Sequence, residues 1–236
     1  MNELILIVSL LAEFGLILLA YRIFGRSGLY VMTAVYTLLA NIEVAMLVDA
    51  FGIEQTLGNI LFAGTFLITD ILSELEGKRA AQKAVHIGVF TSLVFILITQ
   101  SWMLYTPAWE SLPLADGIRT VFSATPRIAA ASLAVYALTQ RFDVWLYHKW
   151  WAFTEKRFGK ERFLWLRNNG STLVSQLLNT VLFNVGAFFG VYDGVTLVKI
   201  CAAGYVIYVV TSLLDTPFIY AARAMKRKGL IPAAAE

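Results

Sequence analysis

Long apolar runs alternate with short charged stretches along the whole chain. The pattern predicts seven membrane-crossing helices, at 3–23, 28–49, 57–76, 84–105, 127–147, 169–190 and 196–222. Each run is close to the roughly 20 residues that a bilayer core requires. The sixth run breaks the apolar pattern in an ordered way. In RNNGSTLVSQLLNTVLFN, residues 167–184, Ser171, Ser175 and Asn179 recur every four residues. Thr172, Gln176, Thr180 and Asn184 recur beside them. At helical spacing these positions form a double row of hydroxyls and amides along one side.

Composition agrees with the pattern. Of 236 residues 58% are hydrophobic and only 15% charged, and the mean hydropathy is +0.69. A soluble domain carries about a quarter charged residues. The expected fold is therefore all-α and polytopic. It forms one integral membrane domain over 1–226, followed by a cytoplasmic tail at 227–236. Cys201 stands alone, which excludes an internal disulfide and a cysteine metal site. The first run lacks a basic leader and carries Glu3 and Glu13, so it reads as a permanent helix rather than a cleaved signal.

Sorting the connections by side explains the pI near 9.0. Loops 22–27, 77–83 and 141–168 and the tail hold sixteen of the nineteen lysines and arginines. The other side holds Arg119, Arg127 and Lys199. The positive-inside rule puts the first side in the cytoplasm, with the N-terminus outside and the C-terminus inside. That orientation requires an odd number of crossings. The insert HKWWAFTEKRFGKERFLWLRN, 148–168, reads as an interfacial amphipathic segment, with rings at the headgroups and cations toward anionic lipid. His86 and His148 read as interfacial residues. Loop 106–126 contains Pro107, Pro113 and Pro126 and is expected to be irregular.

Polar groups inside a membrane are costly and default to a functional role. Here they include Glu13, Asn41, Glu43, Asp70, Glu74, Gln100, Ser132, Tyr136, Gln140, Asp143 and Asp215. Asp70 and Glu74 are four apart and share a helix face. Arg127 follows Pro126 in the first turn of a helix, where a cation opposes the dipole and calls for another partner. Each of these residues also has a plainer role. Membrane hydroxyls and amides tie helices together at about 0.6 kcal/mol per bond. Glu74 has a route to the headgroups, and Asp215 precedes Thr216 and Pro217, where a proline frees backbone groups.

The strings TDILSELEGK at 69–78 and PRIAAASL at 126–133, with LWLRNNGSTLVSQLLNT and DTPFIY further on, resemble the queuosine precursor transporter family. The likeness runs from about Asn41 to Tyr220, with the first helix outside the shared core. It implies a membrane carrier importing 7-deazaguanines for tRNA queuosine salvage: the cyano form, the aminomethyl form or queuine. It marks Asn41, Asp70, Glu74, Arg127, Ser132, Ser171, Thr172, Gln176 and Thr180 as motif positions. Three positions depart from the family pattern. Asn179 stands where Asp is common, no Lys stands near Tyr208, and Met46 stands where many members carry Lys. Losing one acid and two bases together implies loss of an internal ion-pair network and an altered preference, toward cationic precursors.

The expected substrate-binding set is Asn41, Asp70, Glu74, Arg127, Ser132, Gln176, Asn179, Thr180 and Phe183. Amides offer a donor and an acceptor in one plane. Phe66 and Phe183 are placed to cover ring faces. Asp70, Glu74 and Asp215 are candidates for proton coupling. No cofactor and no metal are expected. The partners expected are a small 7-deazapurine, the lipid bilayer and, as a candidate assembly, a homodimer, with no nucleic acid. The expected location is a bacterial inner membrane. The alternative is a substrate-capture subunit of an ATP-driven vitamin uptake system. An enzyme is not expected, because no H-E-x-x-H, G-x-S-x-G or P-loop string occurs.

Overall fold

A computed structural model describes residues 1–44, 46–122, 126–159, 163–190 and 193–232. Among the described residues the regular structure is helical apart from one small hairpin. α1 runs Asn2–Glu43, α2 Gly58–Leu75, α3 Lys78–Trp102, α4 Leu112–Phe122, α5 Pro126–Phe158, α6 Leu164–Phe188 and α7 Gly194–Arg227. Four of these, α1, α2, α3 and α7, are long and apolar enough to cross a membrane.

α1 holds two of the expected crossings. Its 42 residues would span about 63 Å as one rod, twice a bilayer core. It is not one rod. Gly25 takes φ 58° and ψ −144°, outside helical values, and the axis breaks there. Only glycine adopts that backbone readily. The tail packs against the break, with the Pro232 carbonyl 3.1 Å from where a Gly25 Cβ would sit. The first residues after 227 are thus docked rather than loose, and Ile231 lies on the core.

Two expectations are corrected. The second run is helical only to Glu43 rather than to 49. Beyond it β1, Leu47–Ala50, pairs antiparallel with β2, Ile53–Thr56. The two-residue turn at Phe51 and Gly52 has φ of 55° and 71°, the mirror-image turn that suits a right-twisted hairpin. The loop 106–126 is also not irregular, since α4 and a short 3₁₀ turn at Trp109–Ser111 occupy it. Pro113 falls in the first helical turn, where a missing N–H costs nothing.

The helices pack as neighbours in sequence, with α5 along α6, α1 along α2 and α6 along α7. One end of the bundle gathers Tyr21, Glu76 and Lys226. The Tyr21 hydroxyl donates to Glu76 Oε1 at 2.6 Å, and Lys226 Nζ donates to Glu76 Oε1 at 2.8 Å and to the Leu75 carbonyl. The opposite end holds the hairpin, tied by Asn2 Nδ2 donating to the Asp49 carbonyl at 2.9 Å. The insert 148–168 departs from a purely interfacial segment. α5 continues through it to Phe158, and Thr154 is fully buried against protein.

Candidate functional site

The periodic stripe of α6 is buried, but most of it bonds to its own helix. Ser171 donates to the Arg167 carbonyl at 2.8 Å and Ser175 to that of Ser171 at 2.6 Å. Thr180 donates to the Gln176 carbonyl and Asn184 to that of Thr180, both at 2.8 Å. Back-bonding of this kind satisfies a side chain without a ligand. Asn179 and Phe183 do something else, because they line a cavity.

That cavity lies in the half of the bundle nearer the hairpin. Its volume is about 100 Å³, several times the roughly 10–15 Å³ that one water needs. The end of α1 contributes Thr37 and Asn41, α2 contributes Asn59, Phe62 and Thr65, and α5 contributes Ser132 and Tyr136. Asn179 and Phe183 of α6 and Tyr208 of α7 close it. Phe62 is its apolar centre, with ring centroids of Tyr136 and Tyr208 each 6.0 Å away at steep angles. The Tyr208 hydroxyl donates to Asn59 Oδ1 at 2.9 Å and also meets Asn179. The Tyr136 hydroxyl is buried and has no protein partner. It reaches its place because residue 88 is glycine, where a Cβ would stand 2.1 Å from it.

A second polar cluster lies on the other side of the cavity, toward the end with Glu76. Glu74 accepts from Arg167 Nε at 2.9 Å and Nη2 at 2.6 Å. The Tyr147 hydroxyl donates to it at 2.7 Å. The Arg167 guanidinium lies 4.6 Å from the Trp151 ring centroid. Arg167 is 0% exposed. Asp70 accepts from Thr172 at 3.0 Å, Asp143 from Ser175 at 2.7 Å and Asp215 from Asn168 at 2.8 Å. Asn169 joins α7 through Thr216 at 2.7 Å and Ser212 at 3.1 Å.

Of the residues expected to bind substrate, Asn41, Ser132, Asn179 and Phe183 line one cavity. Asp70 and Glu74 lie in the second cluster with Asp215. Gln176 and Thr180 are buried beside the cavity but do not line it, and Phe66 packs behind Phe62 at 5.4 Å. Arg127 falls in the first turn of α5, and its side chain lies outside the described residues. Asn59, Phe62, Thr65 and Tyr208 line the cavity without having been singled out from sequence. Tyr208 had one signal, because it adjoins a departure from the family pattern. It meets Asn179, itself one of the three departures. Met46, the third, is exposed near the hairpin.

The comparisons with known proteins agree with one another. Residues 56–222 match the family described as "Putative vitamin uptake transporter". The chain is 37% identical over 213 residues to the "Probable queuosine precursor transporter" of Bacillus subtilis (strain 168), covering 90% of this chain and 91% of that one. It is 26% identical over 150 residues to the "Queuosine precursor transporter" of Escherichia coli (strain K12), covering 64% and 62%. No solved structure matches. With apolar helices of crossing length and a match across nine-tenths of its length, the chain belongs to the queuosine precursor transporter family of membrane transporters.

Proposed function

We propose that the chain imports 7-deazaguanines for tRNA queuosine salvage, with the aromatic cavity as the substrate site. One observation carries this reading. A partly open cavity holds an aromatic centre, Phe62 with Tyr136 and Tyr208, and an amide rim of Asn41, Asn59 and Asn179. A flat bicyclic base needs apolar faces and planar donor–acceptor edges. Asn and Gln read purine edges elsewhere by the same pairing. The relatives' names support the substrate class.

The reading includes seven crossings, two of them from α1 on either side of Gly25. The N-terminus faces out and the C-terminus faces the cytoplasm of a bacterial cell, across its inner membrane. Support comes from the lysines and arginines counted by side and from the bacterial relatives. In this orientation the cavity lies in the outer half. The ion pairs of Glu74 and Glu76 close the cytoplasmic half. With Asn179 uncharged, the acids Asp70, Asp143 and Asp215 outnumber bases in the interior, which favours cationic precursors such as the aminomethyl form or queuine.

Salvage tests the function directly. Cells unable to make queuosine are given this chain and fed each precursor separately, and queuosine in tRNA is scored. Rescue by at least one 7-deazaguanine is expected, and rescue by none overturns the proposal. Rescue that depends on a co-expressed ATPase would mark the chain as a substrate-capture subunit instead.

A further inference from the structure

α2 carries a descending series of polar groups. Thr65 lines the cavity, Thr69 lies one turn below, then Asp70, then Glu74 in its ion pair. Nine residues separate Thr65 from Glu74, about 13.5 Å along the axis. Gln140 of α5 ties the first two together. Its Nε2 donates to Thr65 Oγ1 at 2.7 Å, and Thr69 Oγ1 donates to its Oε1 at 3.3 Å. The next layer contains Asp70 of α2 and Asp143 of α5, both fully buried.

Each of these carboxyls has one oxygen satisfied from α6. Thr172 donates to Asp70 Oδ2, and Ser175, three residues on along the same face, donates to Asp143 Oδ1. The remaining oxygens, Asp70 Oδ1 and Asp143 Oδ2, have no hydrogen-bond partner. The two side chains lie against each other. Two carboxylates side by side repel by about 4 kcal/mol at 4 Å and an effective dielectric of 20. A proton held between them turns that repulsion into a hydrogen bond.

Among the described residues no cation bonds either carboxyl. Arg167 of α6 is taken by Glu74, and so is the Tyr147 hydroxyl of α5. Asp215 of α7 brings a further acid, bonded by Asn168. On α1, Tyr21 is bonded to Glu76 and Tyr36 to the Glu13 carbonyl. The buried face of α3 near α2 is Ala80, Ala81, Ala84, Val85 and Gly88, without a charge.

We infer that Asp70 and Asp143 form a proton-binding pair that couples the proton gradient to transport. This rests on the transport reading above and adds its energy source. The pair stands between the cavity and the Glu74–Arg167 ion pair, one turn of α2 from the second and directly below the layer in which Gln140 bonds Thr65 and Thr69. A proton arriving through the cavity neutralises the pair before α2 shifts. It leaves on the cytoplasmic side when the ion pair parts.

The test uses the full-length protein in liposomes, with the radiolabelled cyano form as probe, and infrared spectroscopy of the same preparation in detergent. An inward proton gradient is expected to accelerate uptake by roughly 5–150-fold, the usual range of coupling between sites. A sodium gradient is expected to leave uptake unchanged. The infrared spectrum at neutral pH should contain a protonated-carboxyl band that disappears in both D70N and D143N. S175A, which keeps both acids, should shift the pH midpoint of uptake while thermal unfolding stays near wild type. A band retained in both Asn variants, or uptake driven by sodium alone, overturns the inference. If the liposomes take up no 7-deazaguanine, the transport reading fails, while the band still decides whether the pair holds a proton.

Discussion

The Glu74–Arg167 ion pair and the wall of the cavity treat buried polar atoms in opposite ways. Glu74 receives two hydrogen bonds from Arg167 and one from Tyr147, and Trp151 lies against the guanidinium. On the cavity wall the Tyr136 hydroxyl has no partner, neither does Gln176 Oε1 nearby, and in the layer between them and Glu74 neither do Asp70 Oδ1 and Asp143 Oδ2. An orphaned buried group costs about 1–3 kcal/mol, which a bound ligand can recover. A saturated network offers a ligand nothing. Polar slack therefore marks where a ligand or a proton has something to bond, and saturation marks where side chains hold one another.

Arg167 tests this contrast most severely. R167A strands a buried carboxylate and is expected to cost about 3–5 kcal/mol, a large share of an ordinary stability. Thermal unfolding in detergent and abundance in membranes measure it. R167M combined with E74L should recover much of that loss, since apolar replacement of both partners is often neutral. A stable single variant would erase the difference between the ion pair and the cavity wall.

The next two variants separate binding from folding. Y208F removes the hydroxyl shared by Asn59 and Asn179. It should raise the KM for uptake about tenfold and also lower stability, by about 1–3 kcal/mol, because an amide loses its partner. Y136F removes a hydroxyl that bonds to nothing in the protein. Its KM should rise by about fivefold with no loss of thermal stability, the sharper form of the contrast. N179D and N179L complete the series. Normal transport by both would show that Asn179 is packing.

The smallest effect belongs to Asp193, which caps α7. Its carboxyl accepts from the Thr196 side chain at 2.5 Å and from the Val195 and Thr196 backbone N–H groups. The Thr196 hydroxyl foremost holds it below the usual carboxylate range. A depressed carboxyl contributes stability above its unfolded pKa and loses it as pH falls through its folded value. D193A should therefore lower Tm slightly at neutral pH, and the difference should vanish in acid.

The sequence carried the helices more clearly than their joints. Long apolar runs announce helices because a bilayer leaves the backbone no other choice of comparable length. The charged stretch 22–27 reads as a loop in sequence, but one residue with positive φ, Gly25, turns the chain without leaving the helix on either side. Leu47 to Ala50 extended the second apolar run, because alternation over four residues is too short to distinguish strand from helix. α4 was hidden by its flanking prolines. At the site, Asn41, Ser132, Asn179 and Phe183 stood out as amides, a hydroxyl and a ring in motif strings. Phe62 and Tyr208 did not, since aromatics are ordinary in membrane helices. The partnership of Glu74 with Arg167 spans 93 residues, and no local spacing encodes it.

Gly88 does not line the cavity, yet it decides where the Tyr136 hydroxyl can rest. Residue 88 therefore acts as an adjusting screw reached from outside the chamber. An alanine there would meet the phenol at 2.1 Å and displace it without any wall residue being replaced. The shape of the chamber is thus set in part by a residue that never faces it.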